Sequence, residues 1–313
     1  MKKRKLGRSG IAVSAVGLGC NNFGVLDIAQ SRRVVDRALE QGIDFLDTAD
    51  IYGGRGGSES QLGEILKGRR KQVVLATKFG MAMDDDAHKR RAARGYVMAA
   101  AEASLTRLKT DWIDLYQLHT PDPGTPMEET LRALDELVKS GKVRAAGCSN
   151  LPAQGIRDAA GIARDKGLGA FVTAQDEYSL LVRGAERELI GAVAAEAMSL
   201  LPYFPLASGL LTGKYARGAQ PPQDTRFGRM QRFSDRYMND GNWTIVEELT
   251  AFAQARDKSL LDLAFAWLLS KPVLASVIAG ATRPEQIDAN VAAAAWELTP
   301  DEVAEVDRIS AKS

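Results

Sequence analysis

Apolar positions along this chain follow two rhythms. Short runs that stay apolar or β-branched throughout alternate with longer stretches in which apolar residues return every three or four positions. The short runs are "AVGLGC" at 15–20, "IDFLDTA" at 43–49, "VVLATK" at 73–78, "IDLYQLH" at 113–119, "VRAAGCSN" at 143–150, "FVTAQ" at 171–175, "LLPYFPL" at 200–206 and "ASVIAG" at 275–280. Runs of this length without polar alternation predict strands buried on both faces, the pattern of a parallel sheet.

The stretches between them read as amphipathic helices. Val34, Val35, Ala38 and Leu39 form one stripe, with Ser31 as the expected N-cap and Gly42 as the stop. Leu131, Leu134, Leu137 and Val138 form another, closed by Gly141 in the position that favours a left-handed residue. Near the end, Thr299 and Glu302 have capping-box spacing, Pro300 takes the first helical position, and Val303, Val306 and Ile309 make the stripe. Eight buried strands alternating with such helices predict an α/β fold, and eight is the number that closes a (β/α)8 TIM barrel. The expectation is one barrel domain over residues 1–313. Two segments break the rhythm, 80–95 and 213–241, and long excursions after barrel strands are where substrate is handled.

Composition narrows the function classes. At 45% hydrophobic and 26% charged the chain has the make-up of a protein that buries a substantial core, which excludes disorder. Lys and Arg total 41 against 40 Asp and Glu, so no global field draws it to nucleic acid or anionic lipid. Basic clusters at Met1–Lys5, Lys67–Lys71 and Lys89–Arg94 are short and lack interleaved aromatics, and solvated surface is the expectation for each. Two cysteines, Cys20 and Cys148, stand far apart with no C-x-x-C and no zinc spacing, which suits a reduced, cytoplasmic protein without a metal centre. The N-terminal "LGRSGIAVSAVGLG" is too broken by Gly, Arg and Ser for a secretory core, and no run approaches the roughly 18 apolar residues of a membrane span.

In a barrel of this kind chemistry gathers at the C-terminal ends of the strands. The second run delivers Asp47 and, a turn later, Tyr52; the third ends in Lys78; the fourth ends in His119. Taken singly, Asp47 fits a turn carboxylate, Tyr52 loop packing, and His119 a structural histidine. Lys78 is harder to dismiss, because a lysine aimed into a barrel mouth needs a partner. Together they make a proton-donating tyrosine. A free tyrosine, with a pKa of about 10, donates poorly at neutral pH; a nearby lysine is expected to lower that value, an aspartate to hold the lysine, and a neutral histidine to donate to a carbonyl oxygen. That is a carbonyl-reducing site in want of a hydride.

"DTADIYG", "ATK" and "LYQLH", followed in order by "GCSN" at 147–150 and "PLASGLLTGKY" at 205–215, resemble the motifs of the aldo-keto reductase superfamily, in particular its bacterial and potassium-channel-β-subunit-like branches. The resemblance runs along essentially the whole chain. It implies Tyr52 as general acid, Lys78 and Asp47 as its tuning pair and His119 as the donor that orients substrate, with NADPH bound without a Rossmann fold. It further implies that Ser149, Asn150 and Gln175 hold the nicotinamide carboxamide, that Tyr203 stacks under the ring, and that Phe204, Pro205, Leu206, Ala207, Ser208, Gly209 and Leu210 with Lys214 wrap the pyrophosphate. Cys20 and Asn21, after the first strand, join this cofactor set. In "GATRPEQIDAN", Gly280, Thr282, Arg283, Gln286 and Asn290 match positions that hold the adenosine half, Arg283 being placed for a 2′-phosphate. Ala289 departs from an acidic residue frequent in the family, which implies looser adenine recognition. Asn21 replaces a tryptophan of some relatives, and Asn21, Asn22 and Phe23 are expected to shape the mouth.

Other nucleotide signatures fail. "GGRGGS" at 53–58 is too compact for a dinucleotide fingerprint, and "GLLTGKY" has the wrong spacing and a Tyr where a phosphate loop needs Ser or Thr. The remaining alternative is a barrel that binds NADPH as a redox sensor or regulatory subunit with little turnover. An intact His119 favours the reductase, acting on a small-molecule carbonyl or alcohol; the sequence leaves substrate, direction and oligomeric state open.

Overall fold

A computed structural model describes residues 1–86, 90–223 and 225–311. The parts of segments 80–95 and 213–241 at 87–89 and 224 lie outside it, as does Lys89 of the third basic cluster. The eight runs form eight strands: β1 Val16–Gly19, β2 Phe45–Asp47, β3 Val74–Phe79, β4 Ile113–Leu118, β5 Val143–Ser149, β6 Thr173–Glu177, β7 Ser199–Tyr203 and β8 Val277–Gly280. From β1 to β7 each strand pairs in parallel with the next, and β8 returns to pair with β1. Between β7 and β8 the ring is closed by a bridge from Leu200 to Leu274, with Leu200 N donating to Val273 O at 2.8 Å and Ala275 N to Leu200 O at 3.2 Å.

The uniform apolarity of the runs has its reason in this geometry. Alternate residues point outward against the helices, as Leu18, Leu46, Leu75, Tyr116, Cys148 and Leu200 do, while Phe45, Ala76, Leu115, Ala145, Leu201 and Ile278 fill the barrel. Both faces are dry, so neither carries the polar alternation of a solvated sheet. Small residues clear the interior where longer ones cross it. A Cβ on Gly147 would lie 2.3 Å from Thr173 Oγ1 and 3.0 Å from Gln117 Cγ, so glycine there leaves the passage Gln117 needs.

The helix caps are mostly as the sequence predicts. Thr299 and Glu302 make their reciprocal capping box, and Gly42 and Gly141 follow their helices in the left-handed region. Ser31 is not a cap. The helix Ile28–Glu40 begins a turn earlier, with the Asp27 carboxylate accepting from Gln30 N, and Ser31 is buried with its hydroxyl donating to Gln61 Oε1 at 2.8 Å.

A feature absent from the sequence reading closes the other end. Strands Lys3–Lys5 and Ala12–Ser14 pair as a hairpin whose Leu6, Ile11 and Val13 plug the interior, and Gly7 N donates to Ser199 Oγ at 2.9 Å at the start of β7. Several residues of the basic clusters are half-buried and engaged instead of solvated. Arg4 reaches Leu274 O at 3.0 Å, and Arg70 turns inward to Asp114 Oδ2 at 2.6 Å. With the N-terminal end stoppered, only the C-terminal ends of the strands open to solvent. Among the described residues no helix is long and apolar enough to cross a membrane.

Candidate active site

Asp47 is the last residue of β2, and its carboxylate sits at the centre of a buried polar cluster. Lys78 Nζ, fully buried on β3, donates to Asp47 Oδ2 at 2.7 Å and to Thr48 O at 2.8 Å. Asp47 Oδ1 accepts from Gln175 Nε2 at 3.1 Å and from Gln117 Nε2 at 3.3 Å, so strands β4 and β6 help to fix it. A buried charge pair is tolerable only when its remaining valences are met, and here they are. Past Asp47 the chain stays zipped to β3 through Thr48 N to Ala76 O at 2.9 Å and Asp50 N to Lys78 O at 3.1 Å. It then turns to present Tyr52, and Lys78 Nζ comes to 5.0 Å from the Tyr52 ring centroid. Gly53, Gly54 and Gly56 behind the tyrosine all have positive φ, and a Cβ on Gly53 would lie 2.4 Å from Phe23 O. The glycines of "GGRGGSE" let the chain turn sharply into the helix Gly57–Ile65.

His119 follows β4 and faces the tyrosine edge-on, ring centroids 5.8 Å apart at 85°. Its Nδ1 is buried without a hydrogen-bond partner among the described residues. Burial, and after it the Lys78 charge, pushes the imidazole down to about 3, so it is neutral across the physiological range. Burial also pulls on Lys78, but Asp47 and Tyr52 outweigh it and the ammonium is raised above its ordinary value. Tyr52 corrects an expectation. Lys78 does draw the phenol down, yet burial acts the other way and more strongly, with Asp47 adding to it, and the net shift is upward. The lysine therefore limits the rise rather than making the phenol unusually acidic.

A profile of the aldo/keto reductase family matches residues 15–311. The chain belongs to the aldo/keto reductase family. Its relatives include a probable voltage-gated potassium channel subunit beta of Arabidopsis thaliana, 33% identical over 94% of this chain and 91% of that protein. Another is an L-glyceraldehyde 3-phosphate reductase of Escherichia coli K12, 32% identical over 94% of this chain and 87% of that one. Among solved structures, the holo form of the aldo-keto reductase AKR11C1 from Bacillus halodurans superposes with a TM-score of 0.82, at 32% identity, covering 99% of this chain and 96% of that chain. The aldo/keto reductase assignment makes this an oxidoreductase barrel for small carbonyl compounds that uses a nicotinamide cofactor.

The residues expected around that cofactor form an arc from β5 to β8. Ser149 is buried at the end of β5. Asn150, exposed and left-handed at φ 57°, donates through Nδ2 to His119 O at 3.0 Å and to Ser149 Oγ at 3.1 Å, and accepts from Tyr203 OH at 2.9 Å. After β7 the backbone is left-handed at Phe204, Ala207, Ser208 and Gly209. Left-handed non-glycine residues cost about 1–3 kcal/mol each and persist where the surroundings hold them, and such kinked backbone can form an anion-binding concavity. Lys214 folds back over it, its Nζ 3.5 Å from where a Cβ on Gly209 would sit. Pro205 and Leu210 are buried beneath this loop, and Leu206 is half-buried. At the start of the helix Pro284–Ala293, Arg283 and Thr282 are exposed, Gln286 Oε1 accepts from Thr282 N at 2.7 Å, and Asn290 is buried. Asn21 reaches Gly280, its Oδ1 3.4 Å from a Cβ built there. Cys20 is fully buried, its thiol toward Leu18 O and within electrostatic reach of Asp47 and Lys78, while its amide donates to Asp47 O at 2.8 Å. Phe23 lies wholly in the core and forms no part of the mouth's surface.

Two residues at this site escaped the sequence reading. Gln117 lies inside the quoted "LYQLH", where its alternation with Leu115 and His119 could have marked it as inward-pointing. Arg226 leaves no such trace. It is half-buried on a helical turn after β7, its guanidinium 5.6 Å from the Phe204 ring centroid and 6.0 Å from that of Phe233, with no carboxylate partner among the described residues. Burial lowers its pKa, and it lies within electrostatic reach of Tyr52.

Proposed function

We propose that this chain is an NADPH-dependent reductase of aldehyde or ketone groups on small molecules, working reversibly. The observation that carries the reading is the buried Asp47–Lys78 pair beside Tyr52, with a neutral His119 facing the same phenol. Tyr52 holds its proton at neutral pH and donates it to the carbonyl oxygen as negative charge develops there. Lys78, kept charged by Asp47, stabilises the phenolate that remains, and His119 offers an N–H to the same oxygen. Gln117 and Gln175 keep the Asp47 carboxylate from rotating away from the lysine.

The residues present fit a nicotinamide dinucleotide. Asn150 joins the Ser149 hydroxyl to the Tyr203 phenol, Gln175 lies on the next strand, the left-handed loop with Lys214 and Arg226 offers charge and backbone donors to a pyrophosphate, and exposed Arg283, with no ion pair among the described residues, suits a 2′-phosphate. When bound, the cofactor supplies the hydride. The relative named as a potassium channel subunit supports a second reading, an NADPH-binding regulatory barrel with little turnover. A panel of aldehydes, ketones and dicarbonyls, followed through NADPH absorbance with NADH in parallel, separates them. Saturable oxidation of NADPH that exceeds that of NADH is expected. No rate above background on any substrate, with NADPH bound, would leave the regulatory reading standing.

A further inference from the structure

Asp50 stands two residues before Tyr52, and nothing in the chemistry above uses its side chain. It is 1% exposed, and neither carboxylate oxygen makes a formed hydrogen bond among the described residues. That is a costly place for a charge. The titratable groups within its electrostatic reach come from four elements. From the helix Gly57–Ile65 comes Glu59, itself fully buried and satisfied by Thr77 Oγ1 at 2.5 Å and Arg107 Nε at 2.7 Å. Arg107 and Tyr96 face it from the helix Arg94–Leu108, Lys78 from β3, and Tyr116, whose buried hydroxyl makes no hydrogen bond among the described residues, from β4. Arg107 is engaged by Glu59 and Lys78 by Asp47, so neither cation is left to pair with Asp50. Its backbone meanwhile is one of the rungs that hold the tyrosine's turn to β3, through the amide bond to Lys78 O.

We propose that Asp50 is a positioning residue that keeps the Tyr52 turn docked on β3 only while its carboxyl is protonated, so that proton donation is lost on the alkaline side through Asp50 rather than through the tyrosine's own ionisation. Burial first, then Glu59, pushes the carboxyl up to about 7, against the pull of Arg107, the Ile51 amide and Lys78. Tyr52 itself is raised above its ordinary value of about 10, so the two ionisations fall in separate ranges. An ionised Asp50 would sit unpaired beside a second buried carboxylate, and the local way out is for the turn to open and admit water, which moves Tyr52. The sign follows from linkage. The folded chain keeps the Asp50 proton to about pH 7 and the unfolded chain loses it near 4, so this group's contribution to stability falls as pH rises from about 4 to about 7 and is then constant.

The inference rests on Tyr52 being the proton donor, and the test keeps the two apart. In the wild-type chain kcat/KM for reduction of a working aldehyde is expected to fall about tenfold per pH unit above about 7. In Asp50→Asn, which mimics the protonated acid, that fall should vanish until the tyrosine's own range. Glu59→Gln, which removes the neighbouring negative charge, should shift the fall to lower pH. Independently of turnover, the melting temperature of Asp50→Asn should pull away from wild type between pH 4 and 7 and then run parallel. An alkaline fall shared unchanged by Asp50→Asn, or melting curves parallel throughout, would overturn the proposal. No carbonyl reduction at pH 6 would instead count against the reading of Tyr52, and the melting curves would still decide on Asp50.

Discussion

Replacing Lys78 by methionine probes the cluster where stability and chemistry meet. The substitution keeps the volume of the stem and removes the ammonium, with its 2.7 Å contact to Asp47 and its 2.8 Å contact to Thr48 O. Coulomb attraction across 2.7 Å amounts to about 6 kcal/mol at an effective dielectric of about 20, and the variant no longer bears the desolvation of the lysine, which offsets part of that. Stranding one partner of a buried pair costs about 3–5 kcal/mol, and because Gln117 and Gln175 still donate to Asp47 we expect the lower end, about 3 kcal/mol. At about 2 °C per kcal/mol for a chain of this length, the melting temperature should drop by about 6 °C in scanning calorimetry at pH 7. The double variant Lys78→Met/Asp47→Asn removes the stranded charge and should recover most of the loss, while reduction stays depressed by about 100-fold or more in both. If the single variant melts with wild type, or the double melts no higher than the single, the cluster is not held by this pair and the reasoning fails.

Other substitutions test the parts around it. His119 is held near 3 when folded and titrates near 6.5 when unfolded, so the unfolded state takes up the proton first and stability falls as pH drops from about 6.5 to about 3, by about 4–5 kcal/mol in all. In His119→Gln that acid limb should flatten, which urea midpoints measured across the range would show; curves that fall in parallel would contradict the buried neutral imidazole. Gly53→Ala and Gly54→Ala separate close approach from backbone strain, since a Cβ meets Phe23 O at 2.4 Å in the first and nothing within 4 Å in the second. The second should cost about 1–2 kcal/mol and the first clearly more, read by urea unfolding, and equal costs would mean that the packing behind Tyr52 gives way easily.

The barrel was legible because burial on both faces leaves an unmistakable mark: eight apolar runs, several of which carry a polar residue at or near the end that the fold brings to one rim. Asp47, Lys78 and His119 could be read from that rule, and Tyr52 from its distance past Asp47. What escaped was written in shorter or non-periodic stretches. The hairpin strands are three residues each, too short for alternation at Ile11 and Val13 to stand out. Ser31 directly precedes the Val34 stripe and so looks like a cap in sequence, whereas in the fold the helix starts at Ile28 and Ser31 turns inward to Gln61. Arg226 and Asp50 depend on what surrounds them in space. An arginine without a carboxylate and an aspartate without a donor look ordinary in a sequence. The tyrosine's acidity was misjudged for the same reason, since Lys78 is visible in the sequence and the extent of burial is not.

The central claim is that Tyr52 delivers the proton in an otherwise intact cofactor site. Tyr52→Phe tests it with two readouts on one protein: carbonyl reduction at saturating NADPH, and NADPH binding by fluorescence titration. Reduction should fall by at least about 100-fold while the dissociation constant for NADPH stays within a few-fold of wild type. Reduction retained at the wild-type rate in Tyr52→Phe would show that another group supplies the proton, and would contradict the claim outright.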